Sequence, residues 1–194
     1  NLSPDVDPYF ATIAGLRVSA HAIVRRDGAV VQFVPFHERA WHAGAGGWGG
    51  LTDVNSHSIG IELANSGDAP FPEPQMAALE QLLRGIMERW AIPPEGVIGH
   101  SDMAPTRKCD PGPRFDWRRL ALQGLSVWPE TAEPGDFASS LARIGYPAAS
   151  PENLLAAFRL RFRPGASGPE SDTDRAMAAS LAARFPVDAR AGTA

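Results

Sequence analysis

The chain has 194 residues, 44% hydrophobic and 21% charged, which is enough apolar material for one domain, or for one domain and a small appendage. A formal net charge of −4 argues against a nucleic-acid-binding surface, which would be basic. The single cysteine excludes an intrachain disulfide, and no apolar run is long enough to span a bilayer.

The first eight residues, Asn1-Leu2-Ser3-Pro4-Asp5-Val6-Asp7-Pro8, read as the interior of a loop with no initiator Met, so native sequence upstream is expected. Ser19 to Val34 reads as a hairpin. His21–Val24 and Ala29–Val34 are apolar or β-branched, and Asp27-Gly28 between them is a tight-turn signal. Glu38 to Asn55 reads as a loop with five glycines between Gly44 and Gly50, and the nearby Trp41, His42 and Trp48 suit a structured binding rim. Ser58 to Ala64 is a compact apolar run, read as a buried strand that Glu62 interrupts.

From Pro74 to Trp90, apolar residues at Met76, Leu79, Leu82, Leu83, Ile86, Met87 and Trp90 predict an amphipathic helix, and Pro93-Pro94 stops it. Val97-Ile98-Gly99 is expected to be a short strand delivering His100, and Asp116 to Leu122 a short closing helix. Composition then shifts to a Pro/Glu/Thr/Gly linker. Three helical patterns follow, holding Phe137, Leu141 and Ile144, then Leu154, Leu155, Phe158 and Phe162, then Met177, Leu181 and Phe185. Gly145 and Pro164-Gly165 separate them, and the residues after Pro186 read as a frayed tail.

The chemistry concentrates in the stretch Gly99 to Pro113. His100 and Asp110 are both ligand types for a borderline divalent metal such as zinc. Lys108 reaches the same side from an extended backbone, and Pro105, Pro111 and Pro113 stiffen the loop. A surface histidine, a turn-capping aspartate and a solvated lysine would give the same letters. Glu62 adds weight, because a carboxylate inside an apolar run must be paired, protonated or functional. It fits a general base beside an activated water, and equally the solvent face of an edge strand.

At this point the residues resemble a known family. Leu16-Arg17-Val18-Ser19-Ala20-His21, Arg25-Arg26-Asp27-Gly28, Arg39-Ala40-Trp41-His42-Ala43-Gly44, Asn55 to Glu62, Gly99-His100-Ser101-Asp102 and Lys108 to Pro113 run in the order of the amidase-2 type, zinc-dependent N-acetylmuramoyl-L-alanine amidases. These are relatives of phage lysozyme-amidases and peptidoglycan recognition proteins. The resemblance implies zinc ligands at His100 and Asp110, with Cys109 as a neighbour, and catalytic roles for Glu62 and Lys108. It implies substrate contacts at Arg17, Trp41, His42 and Arg107, and it makes His21 a structural strand histidine. The family's first zinc-binding histidine belongs to a strand before Leu16. No histidine precedes His21 here, so that ligand is expected upstream of Asn1.

The expected fold is α/β, a mixed central sheet flanked by helices, with a small C-terminal three-helix domain. Residues 1–128 form the catalytic domain, 129–135 a linker, 136–186 a helical unit resembling peptidoglycan-binding domains, and 187–194 a tail. The expected activity is hydrolysis of the amide between N-acetylmuramic acid, or its anhydro form, and L-alanine, for wall turnover or recycling. The alternative is a module that binds peptidoglycan or muropeptides without cleaving them. Zinc is the expected cofactor and peptidoglycan the expected partner. The periplasm or cell envelope is the expected location, with the cytoplasm as the alternative.

Overall fold

The computed structural model of the chain describes residues 18–187. Its sheet has three strands, β1 (Ala22–Val24), β2 (Val30–Gln32) and β3 (Ile61–Leu63), in the order β2-β1-β3. β1 and β2 form the expected hairpin. The Arg25 N–H donates to Ala29 O (2.8 Å), the Gly28 N–H donates to Arg25 O (3.0 Å), and the Asp27 carboxylate accepts from the Ala29 N–H at 3.0 Å. β1 pairs with β3 in parallel, with Ile23 opposite Glu62. The sheet is therefore mixed, as the α/β reading expects.

Strand alternation sorts the side chains. Val24, Ile61 and Leu63 face α1 (Glu73–Trp90) and join Met76, Leu79, Leu83, Phe115, Trp117 and Leu120 in one apolar cluster. Residues one step out of phase, His21, Ile23 and Glu62, fall on the other face. Gln75 of α1 closes the sheet end, its buried amide donating to Val24 O at 2.9 Å and Ala64 O at 3.3 Å. α1 begins one residue earlier than its apolar pattern predicts and ends at Ala91, which takes a left-handed conformation at φ 51°.

The expected strand at Val97–Gly99 is not formed. Those residues belong to none of the three described strands, and His100 instead opens a one-turn helix, α2 (His100–Met103). The cause is competition for backbone groups. The Val97 carbonyl accepts from Arg161 at 2.9 Å, and the Gly99 N–H donates to the Asp102 carboxylate at 2.8 Å. α3 (Trp117–Leu122) follows, capped by the Asp116 carboxylate accepting from the Arg119 N–H.

The helical unit comprises α4 (Phe137–Ile144), α5 (Pro151–Phe162) and α6 (Asp172–Arg184), started by the side-chain caps Asp136, Ser150 and Ser171. Phe137, Leu141, Phe158, Phe162 and Leu181 form its core, which also takes in Val127 and touches Trp48 and Trp128. Packing therefore continues across the segment 129–135. Arg161 of α5 and Asp102 of α2, 2% and 0% exposed, form an ion pair at 2.8 Å. Tyr146, just after α4, donates its hydroxyl to the other Asp102 oxygen at 2.6 Å.

Breaking a buried ion pair costs about 3–5 kcal/mol, and a chain of this size loses ~2–4 °C of melting temperature per kcal/mol. A chain ending at residue 135 is expected to lose its cooperative melt, or to melt about 10 °C lower, in thermal circular dichroism. A melt identical to that of the intact chain would show that the interface holds nothing.

Candidate active site

The site lies where the Glu62 face of β3 meets the loop that follows α2. His100 and Asp110 converge, with Nδ1 and Oδ2 3.0 Å apart. The other ring nitrogen of His100, Nε2, lies 2.8 Å from the Ala43 carbonyl and donates to it as an N–H. In the neutral ring that leaves Nδ1 a lone pair facing a carboxylate oxygen. Two acceptors at this distance need a proton or a cation between them. Two ligands of a tetrahedral ion at ~2.0–2.1 Å lie about 3.3–3.4 Å apart, so a slight opening of the pair would admit one. A metal-binding histidine that donates its far N–H to a backbone carbonyl is also the usual supporting arrangement. The donor set therefore fits zinc. Among the described residues, no third His, Cys, Asp or Glu joins the pair.

The charges around the pair are organised. Burial pushes the Asp110 carboxyl up, but the hydrogen bond and charge of His100, helped by Lys108, hold it below its ordinary value. Glu62 is half-buried, and among the described residues no hydrogen bond or ion pair holds its carboxylate. Burial and the nearby Asp110 raise its pKa, against the opposing pull of His100 and Lys108. Lys108, like His100, acts on both carboxylates. Cys109 is exposed.

The Trp41–Gly44 segment forms the adjoining wall. Trp41 is 54% exposed, with the Arg39 guanidinium 4.2 Å from its ring centroid. Arg39 is fixed in turn by Asp53 at 2.9 Å. The His42 ring lies on Gly60, where a Cβ would come within 2.2 Å of it, so glycine is required there. Arg107 has a task that the sequence reading did not give it. Its Nε–H donates to the Ala45 carbonyl at 2.6 Å and an NH2 group donates to the Ala43 carbonyl, so the guanidinium clamps the loop beside His100. Arg17 lies outside the described residues. His21 is buried with both ring nitrogens engaged. Nδ1 accepts from the Gly60 N–H at 3.0 Å and Nε2 donates to the Glu38 carbonyl at 2.9 Å.

The N-acetylmuramoyl-L-alanine amidase family model, Amidase_2, matches residues 2–113. This chain belongs to that family. The amidase AmiD of Escherichia coli (strain K12) is 38% identical over 222 residues, covering 95% of this chain and 80% of AmiD. The structure of E. coli AmiD in complex with anhydro-N-acetylmuramic acid-L-Ala-D-gamma-Glu-L-Lys superposes with a TM-score of 0.84 at 37% identity, over 94% of this chain and 86% of that one. AmpDh3 of Pseudomonas aeruginosa, in complex with anhydromuramic pentapeptide, matches with a TM-score of 0.79 at 27% identity, over 91% and 87% of the two chains. The 1,6-anhydro-N-acetylmuramyl-L-alanine amidase AmpD of Salmonella typhimurium (strain SL1344) is 45% identical over 126 residues, 64% of this chain and 67% of AmpD. The AmiD and AmpDh3 matches thus extend through the helical unit.

Against this family background, the sequence reading missed Asn55. Its buried side-chain oxygen accepts from the His42 N–H (2.9 Å) and the Ala43 N–H (2.8 Å), which sets the carbonyl that His100 uses. Its only signal was its place at the head of the Asn55–Glu62 segment. Also missed was the burial of Arg159 and Arg161, two charged side chains on a helix whose apolar stripe alone was legible.

Burial, then the neighbouring His21 and His100 rings, lower the His42 pKa from 6.5 to about 4. The unfolded chain takes up this proton at a higher pH than the folded one, so protonation favours unfolding as the pH falls. Stability is expected to decline as pH drops from about 6.5 to about 4. In denaturant titrations across that range, His42→Gln should decline less than the parent protein. An equal decline in both would remove His42 as the source.

Proposed function

We propose that this protein hydrolyses the amide bond between N-acetylmuramic acid, or its anhydro form, and L-alanine in peptidoglycan or its fragments, with zinc as cofactor. The observation that carries the reading is the Glu62 carboxylate, without a described partner, on the same patch as the converging His100–Asp110 pair and Lys108. AmiD, which superposes over nearly the whole chain, was solved with a muropeptide of this kind.

His100 Nδ1 and Asp110 Oδ2 would hold the zinc, together with a donor from upstream of the described residues. Bound there, zinc would polarise the scissile carbonyl and acidify a water molecule. Glu62 takes the attacking water's proton on a carboxylate oxygen and delivers it to the departing L-alanine nitrogen. Its raised pKa brings its proton affinity closer to neutral pH, which suits both halves of that transfer. Lys108 stabilises the negative charge that develops on the carbonyl oxygen. The exposed Trp41 face and the Ala43–Ala45 backbone, held by Arg107, line the approach for the sugar and stem peptide. We further propose a periplasmic or cell-envelope location, with the cytoplasm as the alternative, and cell fractionation would separate the two.

On the full-length protein, Glu62→Gln is expected to lower kcat about 10²–10⁴-fold on an anhydro-muropeptide. Zinc content should stay near that of the parent, and the melting temperature equal or higher, because a half-buried charge has been removed. Lys108→Met is expected to lower kcat about 10²–10³-fold. Release of the L-Ala peptide, followed by chromatography, measures both. Near-parental turnover by Glu62→Gln would overturn the assignment. Tight muropeptide binding with no cleavage by the zinc-loaded parent would make the protein a recognition module instead.

A further inference from the structure

We propose that Arg161, supplied by the helical unit, is a positioning residue for His100, so that the helical unit sets the geometry of the ligand pair. The proposal rests on the amidase reading above.

The guanidinium grips the chain on both sides of His100. One NH2 group donates to the Val97 carbonyl at 2.9 Å, three residues before the histidine. The other donates to the Asp102 carboxylate at 2.8 Å, two residues after it. The first of these also donates to Ser126 Oγ at 3.1 Å. Asp102 in turn ties back the first turn of α2, accepting from the Gly99 N–H at 2.8 Å, while the Ser101 N–H donates to the Asp110 carbonyl at 3.0 Å. The His100 backbone is thus held between two points of one planar group. The plane itself is wedged, with the guanidinium carbon 4.4 Å from the Trp117 ring centroid and 5.0 Å from that of Phe162.

A second contact from the helical unit reaches the opposite wall. Tyr146 donates to Asp102 and meets the Trp48 ring edge-on at 5.2 Å. The Gly49 N–H donates to the Gly145 carbonyl at 2.9 Å. Gly145 sits at φ 122°, and a Cβ there would come within 2.8 Å of Trp48, so glycine lets the ring lie flush. The glycine-rich loop carries Ala43, whose carbonyl receives the His100 N–H. The helical unit therefore constrains the backbone of His100 and holds the Trp48–Gly49 end of the loop whose Ala43 carbonyl receives the ring N–H. It does so without touching any reacting atom.

The test uses the full-length protein and its Arg161→Lys and Tyr146→Phe variants. Lysine keeps the charge, but a point charge cannot span Val97 O and Asp102 together. The readouts are Zn²⁺ affinity by chelator competition, the visible spectrum of the Co²⁺-loaded protein, melting temperature, and kcat and KM on a soluble anhydro-muropeptide. Arg161→Lys is expected to bind Zn²⁺ about 10–100-fold more weakly, with a changed Co²⁺ spectrum and a reduced kcat at near-constant KM. Tyr146→Phe, which removes one hydrogen bond, is expected to weaken Zn²⁺ binding in the same direction, by less than Arg161→Lys does. If Arg161→Lys does not fold, Tyr146→Phe decides. Folded variants with a lower melting temperature but parental Zn²⁺ affinity, Co²⁺ spectrum and kcat would overturn the proposal and leave Arg161 a stability residue only. Loss of Zn²⁺ binding by the parent protein would overturn the amidase reading as well, which separates the two failures.

Discussion

The ion pair between Asp102 and Arg161 is the contact on which the rest of the arrangement depends. Both side chains are nearly sealed from solvent, so their charges are tolerated only because each is multiply bonded. Asp102 accepts from the Gly99 N–H, the Tyr146 hydroxyl and Arg161. Arg161 adds Val97 O and Ser126 Oγ, and its Nε–H is left without a partner among the described residues. An apolar pair of the same size could be as stable, so the gain is one of register rather than raw stability. A greasy contact between α2 and α5 could slide, whereas this one fits a single relative placement. Arg159 repeats the device within the helical unit, pairing with Asp174 at 2.6 Å.

Around the site, orientation is achieved largely through backbone groups. His21 bridges Gly60 and Glu38, Asn55 gathers two successive N–H groups, and Arg107 holds two carbonyls of the glycine-rich loop. Each fixes a segment too rich in glycine to fix itself. Glu62 is the exception, a half-buried carboxylate with no described partner. A group left under-satisfied in this way lowers stability and persists where function needs it. Its placement needs no distortion of the strand, because alternation alone turns it away from Ile61 and Leu63.

Much of this was legible in the chain itself. Asp27-Gly28 specified the hairpin because few sequences accept the turn geometry. The spacing of Met76, Leu79, Leu83 and Ile86 specified α1, since only a helix gathers them on one face. Capping residues and glycine or proline breaks specified the three C-terminal helices. The convergence of His100 with Asp110 was readable because the two stand ten positions apart in one short stretch that Pro105, Pro111 and Pro113 stiffen. The strand expected at Val97–Gly99 failed where a distant group, Arg161, took a carbonyl that strand pairing would have used. Arg107 resembled a substrate contact, and its loop-clamping bonds span more than sixty residues of sequence.

The sequence by itself determined the family, the mixed α/β character and the longer helices, and it named the candidate residues of the site. Turn chemistry, periodicity and short motifs act over a few residues, and their physical preferences survive without knowledge of the whole. Only the tertiary structure decided that Arg161 belongs to the support of His100. An arginine on a helix reads as a solvated charge. It becomes a buried partner only when a carboxylate 59 residues away is brought into contact and water is excluded from both. The helical unit resembles peptidoglycan-binding domains in sequence, and its packing ties it to the loop that carries the chemistry. Burial is a property of the assembled fold, and no local pattern encodes it for a charged side chain.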